Sequence, residues 1–370
     1  MAIYKIFPTK DATLYNEDVD MNTGIDPILE CSTYKKDGNY YLSRYLIKFS
    51  QDEINSTINN LISGSTYKSY LINYASEVNG LNLDTVVSVF PVSGSWEMGT
   101  GAYNNNPTTE NGVSWKWTDY KDSNEWLTSS FATYVTSSYP TLTPGGGVWY
   151  TSSALGYNLE HTQSYSYSNP LDLKIDVSNT VTNWYSGSIN NEGFIVKQQD
   201  ETTTSDNNLT NISLFSIDTH TIYPPSLEFR WDDYLYNTGS NSNGIVNTDQ
   251  IIISLNNLKE NYYLDDVEKF RLNLKLKYPP RVFSTSSYYS TNFFLPENST
   301  YAIKDEATNE YAIEFDDDFT KISADERGNY FNIYMRGLEP ERYYTILVKA
   351  TIDGSTKVYD FDNHFRIINR

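Results

Sequence analysis

Apolar residues in this chain come in short runs, and long Ala/Leu/Glu/Lys stretches with a helical repeat are nearly absent. Ser43-Arg44-Tyr45-Leu46-Ile47-Lys48-Phe49 alternates with period two, and Val86-Val87-Ser88-Val89-Phe90-Pro91-Val92 and Gly193-Phe194-Ile195-Val196-Lys197 are of similar length. Runs of this kind fit pleated strands and are too short for ordinary helices. Tyr occurs 33 times, and aromatic and β-branched side chains suit a half-exposed pleated face. Stretches crowded with Gly, Asn, Ser, Thr and Pro, such as 100–114 and 137–170, separate the runs as loops. An all-β fold is expected. Two short helices interrupt it: Asp52 to Ile62 spaces Ile54, Ile58, Leu61 and Ile62 on one helical face, and Val177 to Trp184 does so with Val177, Val181 and Trp184.

At 370 residues the chain exceeds one ordinary core, so two domains are expected. All seven Trp residues lie before residue 235, and Tyr236-Asn237-Thr238-Gly239-Ser240-Asn241-Ser242-Asn243-Gly244 has linker composition. This predicts a β domain over 1–234, a linker over 235–249 and a second β domain over 250–370. In the latter, Gln250 to Leu255, Phe270 to Tyr278, Tyr311 to Phe315, Phe331 to Met335 and Thr345 to Lys349 recur at sandwich spacing.

The formal charge is −20. Residues 1–249 carry 12 basic and 28 acidic side chains, a balance of −16, and the remainder carries 15 and 19, a balance of −4. Such a field repels phosphate backbones and anionic lipid, so nucleic acid is not an expected partner. No run approaches the roughly 20 apolar residues of a membrane span, so no membrane insertion is expected. The start of the chain has no signal-peptide pattern. A single Cys31 fits synthesis in a reducing cytosol, whereas the Tyr/Asn/Ser/Thr wealth resembles outward-facing proteins. A virion protein, made in the host cytoplasm and working outside it, reconciles the two.

Few residues propose chemistry. His161, His220 and His364 are scattered without metal-ligand spacing and read as surface or half-buried imidazoles. Cys31 reads as a small buried or edge residue. Gly145-Gly146-Gly147 lacks a following Gly-Lys-Ser/Thr and reads as a loop needing positive φ or close packing. Asp316, Asp317 and Asp318 are weak calcium candidates, because oxygen ligands suit that ion, but the loop spacing is missing and a solvated turn is preferred. No other cofactor and no catalytic residue is expected. Trp184 and Trp231 sit within apolar patterns and are assigned to core. Trp96, Trp115, Trp117, Trp126 and Trp149 lie in loop-rich stretches and are the better candidates for exposure, but burial under the long loops or at a subunit interface is expected ahead of contact with a glycan.

Four stretches across about 230 residues resemble the DNRLRE-type β-sandwich family, a jelly-roll relative of carbohydrate-binding modules. They are Phe7-Pro8-Thr9-Lys10-Asp11-Ala12-Thr13-Leu14 with Asn22-Thr23-Gly24; Ser43 to Phe49; Asp176 to Trp184 followed by Asn191 to Lys197; and Pro224-Pro225-Ser226-Leu227-Glu228-Phe229-Arg230-Trp231. The segment 95–170 is longer than in that family. Leu338-Glu339-Pro340-Glu341-Arg342-Tyr343-Tyr344 is similar to the tyrosine corner of fibronectin-III and other immunoglobulin-like sandwiches. That likeness implies that Tyr344 bonds upstream backbone, that Leu338 and Pro340 shape the corner, and that Ile346 and Val348 face the core. The order of the two segments, with Gly145 to Tyr150, Tyr278-Pro279-Pro280-Arg281 and Pro340 to Tyr344, resembles structural proteins of marine tailed phages.

The resemblance implies a jelly-roll β-sandwich followed by an immunoglobulin-like one, in a non-enzymatic component of the tail, baseplate, neck or head decoration. Its expected partners are other virion proteins and copies of itself. The alternative is a glycan-binding receptor module that takes a host-surface glycan, followed by a polysaccharide-degrading enzyme.

Overall fold

The computed structural model describes residues 2–81, 85–126, 145–150, 159–201, 209–239, 251–256, 258–278, 293–352 and 354–369, and the backbone of the short strand Ala132–Thr133. Strands make up 49% of it and helices 9%, so the fold is all-β and built of sandwiched sheets. Contacts divide the chain into two compact units: Ile6–Leu61 with Lys68–Glu228, and Met1–Lys5 with Ile62–Tyr67 and Phe229–Arg370. Nothing in the composition announces that the first residues group with the C-terminal part. Of the stretch expected as a linker, 240–249 lies outside the described residues. Just before it, Tyr236 bridges Ala324 and donates its hydroxyl to the Leu295 carbonyl at 2.6 Å, so this part packs along the C-terminal sheets.

The larger sheet of the first unit runs His161–Tyr165, Thr85–Pro91, Phe194–Gln198, Asn39–Phe49, Ile28–Lys36, Asn211–Phe215, Ala75–Asn79, and Pro8–Tyr15 also pairs with Asn39–Phe49. All these pairings are antiparallel. The alternating stretch Ser43 to Phe49 lies in the strand Asn39–Phe49, as its period of two predicts. On one face of that strand Arg44 and Leu46 are fully buried and Lys48 is half-buried. A second layer covers that face: Leu14, Leu46 and Ile195 pack with Trp96, Trp115, Trp126, Val148 and Trp149 from the long loops. On the other face Tyr45, Ile47 and Phe194 are buried too.

Both expected helices form. Gln51–Ser56 continues into Thr57–Ile62. Ser50 Oγ accepts the Glu53 N–H at 3.4 Å, which satisfies one of the free amides at the helix start. Ile54, Ile58 and Ile62 are buried as the spacing requires. Ser178–Ser186 ends on Gly187 at φ 74°, a conformation that glycine adopts without strain, and sets Trp184 on Phe194 with ring centroids 4.6 Å apart.

The C-terminal unit holds two sheets. One runs Ile251–Asn256, Val267–Leu276, Gly328–Tyr334, Ser323–Asp325; the other runs Asn261–Tyr263, Ser355–Ile368, Tyr343–Ile352, Thr300–Asp305, Tyr311–Ile313. Along Val267–Leu276 the buried residues are Phe270, Leu272 and Leu274, a clean period of two. Each such side chain contributes about 1.5–3 kcal/mol of burial. They share one core with Tyr301, Phe331, Ile346 and Val348 from both sheets, and Tyr301 stacks on Phe331 at 4.2 Å. Ile3 joins that core, and Arg336 donates to the Tyr4 hydroxyl at 2.7 Å.

The tyrosine corner has the geometry its spacing implies. The Tyr344 hydroxyl accepts the Glu339 N–H at 2.9 Å and lies 3.0 Å from the Glu339 carbonyl, to which it donates. Leu338 and Tyr344 are buried, Pro340 is half-buried, and Ile346 and Val348 point into the core.

Candidate functional site

Four of the five loop tryptophans are not exposed. Trp96, Trp115, Trp126 and Trp149 are buried, and only Trp117 of the five is half-buried. Two of their indole N–H groups bond carbonyls under the loops: Trp96 donates to the Glu192 carbonyl at 2.8 Å and Trp126 to the Ser114 carbonyl at 3.1 Å. These four are buried under the long loops, and with Trp117 half-buried the five form no exposed aromatic platform. Burying a large ring is favourable once its N–H is satisfied, and the long loops supply both cover and carbonyls. Trp184 and Trp231 are buried, as expected of core residues.

Arg44 explains where two of the tryptophans go. Its guanidinium lies 4.8 Å from the Trp115 ring and 5.4 Å from the Trp149 ring. Nε and Nη2 donate to the two Glu201 carboxylate oxygens at 2.9 and 2.7 Å, and Nη1 donates to the Gly146 carbonyl at 2.7 Å. A side chain at Gly146 would strike Arg44 Nη1 and Trp115, and its φ is +81°, so the Gly145-Gly146-Gly147 loop is glycine for close packing and positive φ. Burial pushes the Glu201 pKa up, but Arg44 and Lys197 overrule it and hold the carboxyl below its ordinary value.

The Asp triplet is a turn. The Asp316 carboxylate accepts the N–H groups of Asp318 and Phe319 at 2.7 and 2.9 Å, while Asp317 and Asp318 are exposed. Among the described residues no group of three acidic, His or Cys side chains is arranged to hold a metal ion. His161 Nε2 sits 2.8 Å from Thr180 Oγ, which imitates a nucleophile and base, yet Thr180 is 0% exposed and no substrate could reach it. His220 is exposed, and His364 pairs with Glu306. Cys31 is buried, and burial raises its thiol pKa, so it is inert.

The candidate site is a cleft of about 330 Å³ in the first unit, at the low end of the usual size of small-ligand pockets. Its floor is a row across three neighbouring strands. Glu30 pairs directly with Ser213, and Ser213 with Glu77, so all three side chains rise from one face of the sheet. At strand spacing the two glutamate Cα atoms stand roughly 10 Å apart. Tyr15, Asp26, Pro27, Ile28, Ser76 and Tyr103 complete the wall. The Tyr15 and Tyr103 rings lie 5.1 Å apart, and Tyr103 is 44% exposed.

Asn22-Thr23-Gly24 holds this wall in place. The buried Asn22 amide donates to the Met98 and Val113 carbonyls, both at 2.7 Å, and its oxygen accepts the Gly101 N–H at 2.8 Å. A Cβ at Gly24 would lie 2.2 Å from the Met98 carbonyl oxygen, so only glycine fits. Thr23 Oγ donates to the Thr13 carbonyl at 2.7 Å. So clamped, the loop presents the Asp26 carboxylate to the Tyr103 N–H, which lies 3.0 Å from both oxygens.

Three of the nine residues lining the cleft are acidic and none is basic. Lys36, whose charge is felt at Tyr103, is already paired with Glu17. Burial raises the pKa of Asp26 against the pull of the Tyr103 N–H. Burial also raises that of Glu30, opposed by a hydrogen bond from Tyr15 and reinforced by the charge of Asp26. The motif that clamps the loop is visible in the sequence as Asn22-Thr23-Gly24. Glu30, Ser213 and Glu77 are not, because strand register alone aligns them.

No protein-family model and no curated protein matches this chain. Among solved structures it is similar to a DUF4785 family protein from Legionella pneumophila, at 10% identity and a TM-score of 0.16, over 98% of this chain and 65% of that one. The chain thus spans less than two thirds of that protein's length, and the likeness is too low to bear on either fold or function.

Proposed function

We propose that this chain is a non-enzymatic structural component of a tailed bacteriophage particle, acting through assembly with other virion proteins and with copies of itself. The observation that supports this best is the tyrosine corner of the C-terminal sandwich, with its hydroxyl closed on Glu339, since it keeps the fibronectin-III likeness intact at its most specific point. The first unit adds that the stretches resembling the DNRLRE family serve as sheet strands, as the helix Ser178–Ser186 and as the Asn22 loop clamp. A chain whose aromatic and charged groups are spent on two stiff sandwiches suits a scaffold.

Mass spectrometry of purified particles from the phage that carries this sequence tests the proposal. The peptide should be present at a fixed copy number relative to the major capsid protein. Absence from particles, together with polysaccharide cleavage by the purified chain, would replace it with the enzyme. The glycan-receptor alternative draws on the cleft beside Tyr103, because an exposed ring flanked by carboxylates can also hold a sugar.

A further inference from the structure

The cleft differs from an acidic surface patch in three respects. It is a concavity of about 330 Å³, one wall is a pair of contacting tyrosine rings, and its carboxylates are set by strand register and a buried asparagine clamp. We propose that it binds an organic ammonium group, carried by a small amine or by a lysine side chain, between the Glu30–Ser213–Glu77 row and the Tyr103 ring. The assignment holds whether or not the chain is a virion component.

The chemistry favours a cation over a neutral ligand. Glu30 and Asp26 are partly withdrawn from water, and each is satisfied by one donor, Tyr15 and the Tyr103 N–H respectively. A neutral sugar would desolvate both further and leave their charges uncompensated, which is costly. An ammonium supplies three donors and the missing charge at once. An exposed tyrosine face adds attraction for a cation within about 6 Å of its centroid. A metal ion needs a denser set of oxygen ligands than the described residues bring together. The exposed Ser76 at the cleft wall offers a hydroxyl to a polar tail on the ligand.

Isothermal titration of the full chain with putrescine, glucosamine, Nα-acetyl-lysine amide and N-acetylglucosamine tests this directly. The amines should bind at one site and N-acetylglucosamine should not, since acetylation removes the charge and leaves the ring. Binding should weaken as salt rises. The Tyr103 amide resonance should shift on titration, because that N–H reports on Asp26. Glu30→Gln should weaken binding by about tenfold or more, as loss of a desolvated charge partner does. Glu77→Gln, at an exposed position, should weaken it less while leaving the thermal melt unchanged, which keeps the test valid if Glu30→Gln disturbs the fold. Glu110→Gln, on an exposed loop outside the cleft, should change nothing.

Equal binding of glucosamine and N-acetylglucosamine would overturn the proposal in favour of a neutral glycan. Equal losses in Glu30→Gln and Glu110→Gln would reduce it to non-specific attraction by the −20 chain. No binding of any amine in the millimolar range would end it. Among supporting results, tighter binding of Nα-acetyl-lysine amide than of putrescine assigns the site to a protein side chain, and the reverse order to a free amine.

Discussion

The first unit handles buried charge in two opposite ways. At its centre both oxygens of the Glu201 carboxylate accept from Arg44, whose guanidinium lies over the Trp115 ring, and Lys197 Nζ is 3.4 Å away. In the cleft Glu30 and Asp26 have aromatic neighbours too, but their donors are a hydroxyl and a backbone amide, and no cation lines the wall. The ingredients are alike and the outcomes differ: one carboxyl is held below its ordinary pKa and the others above it. A carboxylate with its counter-charge built in is part of the scaffold. One left without it is poised to accept a counter-charge from outside.

The strongest way to break the contrast is to remove the built-in cation. Arg44→Met should destabilise the first unit by about 3–5 kcal/mol, because Glu201 stays buried with its bidentate partner gone. The double variant with Glu201→Met should cost less than the sum of the single variants, as coupled neighbours do. Urea midpoints of the three variants decide the matter, and additive losses would mean that the pair is not coupled.

A smaller effect is expected at Asp11, a third carboxyl without a cation. It is 1% exposed and accepts the Ile217 N–H at 2.7 Å. Burial lifts its pKa to about 7, with the charge of Asp218 acting in the same direction. The folded state therefore holds this proton more tightly than the unfolded one. The stability it contributes is full below about pH 4, falls as pH rises towards 7, and is gone above that. Asp11→Asn keeps an acceptor for Ile217 and should flatten that slope, leaving the variant more stable than wild type at pH 8 by up to roughly 3 kcal/mol. Parallel pH–midpoint curves for the two proteins would contradict the assignment.

Tyr344→Phe sharpens the comparison from the other unit, where a buried polar group is satisfied by backbone alone. Losing the hydroxyl leaves Glu339 N–H without its acceptor and should cost about 1–2 kcal/mol. An unchanged denaturation midpoint would mean that the corner contributes nothing. The smallest change is expected for Glu30→Gln without ligand. Removing a half-buried charge that Asp26 already disfavours should shift stability by no more than about 0.5 kcal/mol, upward at pH 8 and not at all once Glu30 is protonated. A large loss there would make Glu30 a scaffold residue like Glu201.

Much of the architecture was legible in the sequence because its signals are local. Period-two patterns mark strands such as Val267–Leu276, where Phe270, Leu272 and Leu274 are buried in step. The Ile54, Ile58 and Ile62 spacing marks a helix, and the Leu338 to Tyr344 spacing marks a corner whose hydrogen bonds span five residues. Each of these is decided by steric and hydrogen-bonding rules within a few residues of chain.

What the tertiary structure alone decided concerns the faces that distant segments cover. Nothing local to Arg44, a charged residue in an alternating strand, says that it is the centre of the first unit; Gly146 and Glu201, 102 and 157 residues away, close over it. Four tryptophans read as loop residues and are core for the same reason. Glu30, Ser213 and Glu77 form a row only because three strands pair in one register, although the first two lie 183 positions apart in the chain. Local propensity sets which residues can make a strand. Which of its two faces stays wet, and which charges meet there, depends on long-range packing that no local pattern encodes.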